Sequence, residues 1–366
     1  MAVANLLLSV STTILLPTMP LWMLYTEGLS EAEVAVAMSC FGLGLFVPGC
    51  FCSYLVQRYR RNVVCLVAIV ALAVSLVLCL WEPCRMLSYG WICLLRLVQG
   101  ACFGLSQMVL TSTLIIDTCE SGRRTEANHS ATWFGRFALS IGPMAGLLLY
   151  ELSGFRLVSL VAAGCAVASA VLIMLVRFPF RVPGDDVRPV SLDRFLLAHG
   201  LPLFFCLLLI TIGVGMLLSQ PLDASFYALL MVGFLLALLA QRFVFRDAEL
   251  ESEVLSGLLL MLASVLIMIA APHSPLLSPL LGLGLGLVGS RFLLFFIKLS
   301  RHCQRGTAQS TFMLAWEGGI AFGLGLGYAM TESAEQRLHV VLALFAVLLL
   351  CYHFFLHPWF LKNKNR

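Results

Sequence analysis

The chain has 366 residues, of which 60% are hydrophobic and only 11% charged, with a mean hydropathy of +0.97 and a formal net charge of +4. A water-facing globule cannot cover itself with so few charges, so the composition requires a bilayer as solvent. The positive balance belongs to membrane topology, and a nucleic-acid partner is not expected.

Apolar runs of about 20 residues, separated by charged or Pro/Gly breaks, predict twelve spans. They cover 3–25, 33–56, 63–81, 89–116, 130–150, 157–178, 195–219, 222–241, 254–271, 276–299, 308–330 and 338–357. The first run lacks a basic leader and continues into Pro17 and Pro20, so it reads as a span, not a cleaved signal, bent beside its prolines. Lysine and arginine set the orientation: seventeen of the 23 lie in one set of loops, among them Arg58, Arg61, Arg123, Arg181, Arg246 and Arg366. Only Arg85, Arg156 and Arg337 lie in the alternate set. That asymmetry places both termini in the cytoplasm.

The longest polar stretch, 179–194, is rich in Pro and charge and reads as a cytoplasmic linker. It divides an N-terminal bundle, 1–178, from a C-terminal bundle, 195–366, six spans each. Sliding the chain by 181 residues lays Gly142 on Gly323 and Gly146 on Gly327, which predicts two bundles related by a pseudo-two-fold along the membrane normal. The same displacement lays Arg136 on Glu317.

Three arginines and one carboxylate lie well inside spans. Arg96 in span 4 should face a cavity or a partner, because a charge at membrane depth costs at least ~2.5 kcal/mol. Arg136 lies ~9 Å from Ser130 along span 5, shallow enough to snorkel. Glu317 lies ~14 Å along span 11 from Ala308, and Arg291 ~12 Å from Leu299 on span 10. The expected arrangement is a Glu317–Arg291 pair that breaks when a proton or charged substrate arrives, with Glu317–Arg136 as the alternative. Glu317 is the acidic residue set well inside a span and is the candidate proton site. Asp117 and Glu151 are expected to be solvated, and Asp223 to cap a helix. Trp133 and Trp316 are candidate cavity-lining rings. The glycines of spans 5, 10 and 11 favour close, sliding helix contacts.

The thirteen cysteines are odd in number and scattered through apolar spans, so they read as small packing residues. Cys50 and Cys52 have no histidine nearby, and no metal or cofactor is expected. His199 and His353 read as packing or interface residues. There is no P-loop, GxSxG or HExxH, so no enzyme is expected and a gradient must supply the energy.

Three motifs carry a family resemblance. After span 2, Leu55, Arg58 and Arg61 match a G-x-L-x-D-R-x-G-R-R/K signature in which Gln57 replaces the aspartate and both glycines are lost. Span 4 holds Arg96, Gln99 and Gly100 in an R-x-x-Q-G pattern, and span 5 holds Gly135, then Gly142, Pro143 and Gly146 in a G-P-x-x-G pattern. Across its length the chain resembles the major facilitator superfamily, closest to bacterial exporter and antiporter branches. The resemblance implies an all-α membrane fold and a monomer that moves a small organic solute across the bacterial inner membrane by alternating access. It also implies proton-coupled export, with Arg96 tied to substrate or coupling and the loop signature to a conformational gate, here missing its aspartate. The alternatives are proton-coupled import of an organic anion or nutrient, and an uncoupled sensor or lipid-moving protein.

Overall fold

A computed structural model describes residues 1–80, 89–118, 124–178, 188–245, 249–330 and 333–364, with only the backbone of 124–128 and 302. Arg85, Arg123, Arg181, Arg246, Arg366 and linker residues 179–187 lie outside the described residues. The structure is all-helical. The first half contains α1 (Ala2–Thr13), α2 (Leu15–Tyr25), α3 (Glu31–Phe46), α4 (Gly49–Arg58), α5 (Arg61–Leu78), α6 (Tyr89–Val109) and α7 (Arg124–Met174). A π turn, Leu110–Leu114, carries α6 on to Asp117. The second half contains α8 (Leu201–Leu218), α9 (Ala224–Phe243), α10 (Leu250–Ala270), α11 (Leu277–Leu299), α12 (Arg305–Ala329), α13 (Ala334–Cys351) and α14 (His357–Asn363).

Among the described residues nine helices are long and apolar enough to cross a membrane, and the bent pair α3 and α4 makes a tenth. Twelve were expected, and two further helices bear on the count. α7 is a hairpin, because Ser153 leaves helical geometry and Gly154 takes φ +67, a value that suits a residue without a side chain. Its two limbs return to the same place: Asn5 Nδ2 donates to Ala131 O, while Ser169 Oγ donates to Ala4 O. α12 is 25 residues long, but Gln309, Ser310, Thr311 and Glu317 dilute its hydropathy, and neighbouring helices bury most of it instead.

Local chemistry sets the helix starts. Ser30 and Glu33 form a reciprocal capping box at α3, and Ser333 and Gln336 do the same at α13. Asp223 caps α9 by accepting from Phe226 N at 2.9 Å, and Glu151 is exposed, both as expected. The α1–α2 break at Ile14 falls just before Pro17, which has no N–H to offer the carbonyl of Thr13.

The two halves repeat one packing scheme, and contacts fix its register. Thr13 Oγ1 donates to Ala138 O at 2.8 Å, and Thr211 Oγ1 to Ala315 O at 2.9 Å. A Cβ on Gly142 would stand 2.1 Å from Thr13 Oγ1, and one on Gly319 only 1.9 Å from Thr211 Oγ1. Likewise Gly146 approaches Ile14 O, and Gly323 approaches Ile212 O. The counterpart of Gly142 is therefore Gly319, and that of Gly146 is Gly323, a displacement of 177 residues. This corrects the sequence alignment by one helical turn. Glycines spaced four apart on α12 make registers one turn apart look alike, and only the partner helix distinguishes them. Arg136 is thus equivalent to Met313, and Glu317 to Ser140. Arg136 and Glu317 are therefore not equivalent positions of the two halves.

Contacts between the halves occur at both ends. At the arginine-rich end Gly306 abuts Ser112, and Gln309 Nε2 donates to its own counterpart, Thr132 Oγ1, at 3.0 Å. At the other end Gly325 abuts Ser39 and Gly42 abuts Phe322, while Ser140 donates to Tyr227 O.

Candidate functional site

Between these two contact zones α1, α6, the first limb of α7 and α12 enclose a cavity. Its polar lining comes in steps of four residues, which face one side of a helix: Asn5 with Ser9, Gln107 with Thr111, Thr132 with Arg136, and Gln309 with Glu317 two turns on. Phe312 and Trp316 supply the apolar wall. Space for water-sized bodies is about 40 Å³, so in this conformation the helices are drawn in around their polar groups. Gln107 Nε2 donates to Ser9 Oγ at 2.8 Å, tying α6 to α1.

Arg136 is 2% exposed, and its guanidinium is stacked among rings. Its Cζ lies 4.7 Å from the Trp133 centroid, 5.4 Å from Trp316 and 5.7 Å from Phe312. Such contacts stabilise a cation through the ring quadrupole, by ~2 kcal/mol or more when desolvated. Nη1 donates to Ser290 Oγ at 2.6 Å, whereas Nε and Nη2 have no hydrogen-bond partner among the described residues. Gly289 makes the arrangement possible, since a Cβ there would lie 2.6 Å from the Trp316 ring and 3.1 Å from Arg136 Cζ. Trp133 and Trp316 therefore act first on the arginine, and only Trp316 also lines the cavity.

Glu317 lines the same cavity and forms no ion pair among the described residues. Neither expected pairing is present. Arg291 is taken by Glu253, a residue with no exposed surface in the first turn of α10, which also accepts from Gln241 Nε2 at 2.7 Å. Glu253 sits at the edge of an apolar run, where solvation is the default, so the sequence does not single it out. Its burial comes from α9 and α11, which the run itself cannot reveal. Arg291, Arg242, Gln241, His129 and Ser290 line a second cavity of about 470 Å³ at the arginine-rich end, and Ser290 separates it from Arg136.

The span 4 motif lies elsewhere. Arg96 Nη1 donates to Gln99 Oε1 at 3.0 Å, its Cζ sits 4.6 Å from the Phe41 ring, and Gln99 Nε2 reaches Cys79 Sγ at 3.3 Å. This network joins helices of the first half and does not line the central cavity.

The loop motif is rebuilt at the arginine-rich end. Arg61 ion-pairs with Asp117, whose side chain is only 12% exposed, so Asp117 is not the solvated residue expected from its place at a span end. Arg58 lies in the last turn of α4. Where the signature calls for an aspartate, Gln57 Nε2 donates to Ser53 Oγ at 2.8 Å. Asp193 from the end of the linker supplies the carboxylate: Oδ1 accepts from Thr307 Oγ1 at 3.0 Å and Oδ2 from Ser53 Oγ at 3.5 Å. Thr307 Oγ1 accepts in turn from Arg194 N, and Thr311 Oγ1 from Leu197 N. Ser191 N also donates to Cys50 O at 3.0 Å, so residues 191–197 fasten α4 to α12. Nothing in the spacing of residues pointed to this latch, because its members are far apart in sequence.

The sequence pattern of the Major Facilitator Superfamily matches residues 1–300. The chain belongs to that superfamily. No curated protein matches it in sequence. Solved structures with the superfamily fold superpose over nearly the whole chain. The nucleoside transporter NupG has a TM-score of 0.62 at 14% identity, covering 96% of this chain and 97% of that one. The human organic anion transporter MFSD10 (TETRAN) has a TM-score of 0.70 at 16% identity, covering 95% and 97%. A bacterial homolog of the human lysosomal transporter Spinster, inward-facing and occupied, has a TM-score of 0.71 at 14% identity, covering 100% and 97%. At such identities the likeness is one of fold. As a facilitator-superfamily member the chain is a multi-pass membrane transporter of a small solute, and not an enzyme.

Proposed function

We propose that this chain is a proton-coupled secondary transporter of a small organic solute, with Glu317 as the group that takes up and releases the proton. The observation that carries the reading is an acidic residue without a counter-ion among the described residues, facing a cavity built from both halves at membrane depth. The hairpin in α7, the bent α3–α4 pair and α12 bring the crossings to twelve, and the two six-span bundles rock about the cavity. The Asp193 latch and the Arg61–Asp117 pair hold the arginine-rich end, which faces the cytoplasm of a bacterial inner membrane and carries both termini. The Gly142-Pro143-x-x-Gly146 signature favours export. The chain works as a monomer.

A second reading, proton-coupled import of an organic anion, is favoured by the two unpartnered nitrogens of Arg136 in the same cavity. Anion and proton then neutralise one another and move in the same direction.

Internal pH of proteoliposomes, followed while solutes are added outside, separates the readings. Exchange alkalinises the lumen as solute enters, and co-transport acidifies it. In either case Glu317→Gln abolishes the proton flux. Solute movement with no proton flux, unchanged in Glu317→Gln, refutes the coupling and leaves a uniporter or a carrier driven by another ion.

A further inference from the structure

The geometry points to a carboxylate as the group the transported solute presents, bound in the plane of the Arg136 guanidinium. The inference rests on the reading above only in taking the central cavity as the transport site.

Of the guanidinium's nitrogens, Nη1 is anchored on Ser290, and the two without partners among the described residues are Nε and Nη2. Those two N–H groups point the same way from one edge of the planar group, at the spacing of the two oxygens of a carboxylate. The free groups are thus a matched bidentate edge. Three rings, those of Trp133, Trp316 and Phe312, lie around the guanidinium and set its plane, so the edge is held before any ligand arrives. Preorganisation of this kind lowers the cost of binding.

The surroundings favour a ligand over a purely structural role. A buried donor left unmade costs free energy, more for a charged group. Arg96, the other arginine buried in a span, is 3% exposed and bonded to Gln99, and only its Nε is unpartnered. Arg136 leaves a complete edge unmade, and it lines a cavity. Glu317, the acidic group on the cavity wall, forms no ion pair with it, and the carboxylate of Glu253 is engaged by Arg291 and Gln241. Phe312 and Trp316 flank the place where the rest of the ligand would lie, which favours a ring or other flat apolar body behind the carboxylate. The present space of about 40 Å³ means that the helices must separate to admit it, as rocking of the bundles provides.

The test uses the full-length protein in nanodiscs, with no gradient. Benzoate, benzamide and benzyltrimethylammonium are titrated by calorimetry and by tryptophan fluorescence, since Trp316 lines the cavity and Trp133 stacks on Arg136. Benzoate should bind saturably and change the fluorescence, while the neutral amide and the cation bind at least ~10-fold more weakly. Arg136→Gln should weaken benzoate roughly 10- to 100-fold, the loss expected for hydrogen bonds to a charged group. Arg136→Lys keeps the charge without the two-pronged edge and should recover only part of it. Ser290→Ala, which leaves the arginine in place but frees its anchor, should weaken benzoate ~3- to 10-fold. This milder variant keeps the test open if Arg136→Gln does not fold, with melting temperature as the check.

Equal binding of all three probes, no saturable benzoate binding, or full benzoate affinity in both Arg136→Lys and Ser290→Ala would each overturn the inference. The outcome is separable from coupling. Arg136-dependent benzoate binding without proton flux upholds the site and refutes the coupling, whereas Glu317-dependent proton flux driven only by cations does the reverse.

Discussion

The Glu253–Arg291 pair offers the sharpest energetic test of how this fold holds charge inside the membrane. Glu253 has no exposed surface, and its carboxylate is bound by Arg291 and by Gln241 Nε2 at 2.7 Å. Arg291 is 17% exposed, borders the larger cavity and also reaches Phe245 O at 3.4 Å. Removing one partner of a buried pair costs ~3–5 kcal/mol. Glu253→Ala should fall at the lower end, about 3 kcal/mol, because the stranded arginine can still reach water through the cavity. Arg291→Ala should fall at the upper end, about 4 kcal/mol, because the stranded carboxylate keeps only Gln241. The double variant strands no charge and should cost no more than about 4 kcal/mol in total, so the cycle gives a coupling of at least ~3 kcal/mol. Neutral hydrogen bonds between membrane helices average only ~0.6 kcal/mol by the same method, so the two cases are distinguishable. Reversible unfolding of all four proteins in mixed micelles supplies the numbers. Single effects that add to the double within ~0.5 kcal/mol would refute the argument that each charge exists to neutralise the other.

Two further outcomes test the packing and the latch. Gly146→Ala should destabilise by ~1–3 kcal/mol, since its Cβ would stand 2.4 Å from Ile14 O, while Gly164→Ala, with nothing within 4 Å, should be neutral or slightly stabilising. Melting temperatures in detergent read both, and equal melting of the two variants would contradict the contact. Asp193→Ala should shift the balance of conformers towards separation of α4 and α12 by ~2- to 10-fold, as for loss of one or two ordinary hydrogen bonds. Distance distributions between spin labels on those helices measure it, and an unchanged distribution would show that the latch carries no weight.

Much of the architecture was legible because membrane insertion is a one-dimensional problem. Apolar length and proline breaks act along the chain, so the all-helical membrane fold and the family could be read directly. The site was partly legible in the same way: Arg136, Glu317 and Trp316 stood out as polar or aromatic residues in an apolar run, and the four-residue spacing of Asn5 with Ser9 and of Gln107 with Thr111 was available as a further signal. Which charges meet was not legible. Glu253 meets Arg291, and Glu317 stands apart from both, because pairing depends on how α10 and α11 pack. The one-turn error in matching the halves has the same origin, since a four-residue glycine period repeats itself until Thr13 and Thr211 choose the register. Asp193 shows the limit most plainly, as it takes the place of a missing motif aspartate from the far end of the linker. The sequence by itself determined that the chain is an all-helical membrane protein and that Arg96, Arg136, Arg291 and Glu317 lie within its apolar runs. Only the tertiary structure decided which partners those charges have, because side-chain contact depends on helix rotation and depth, and these are set by the neighbouring helices.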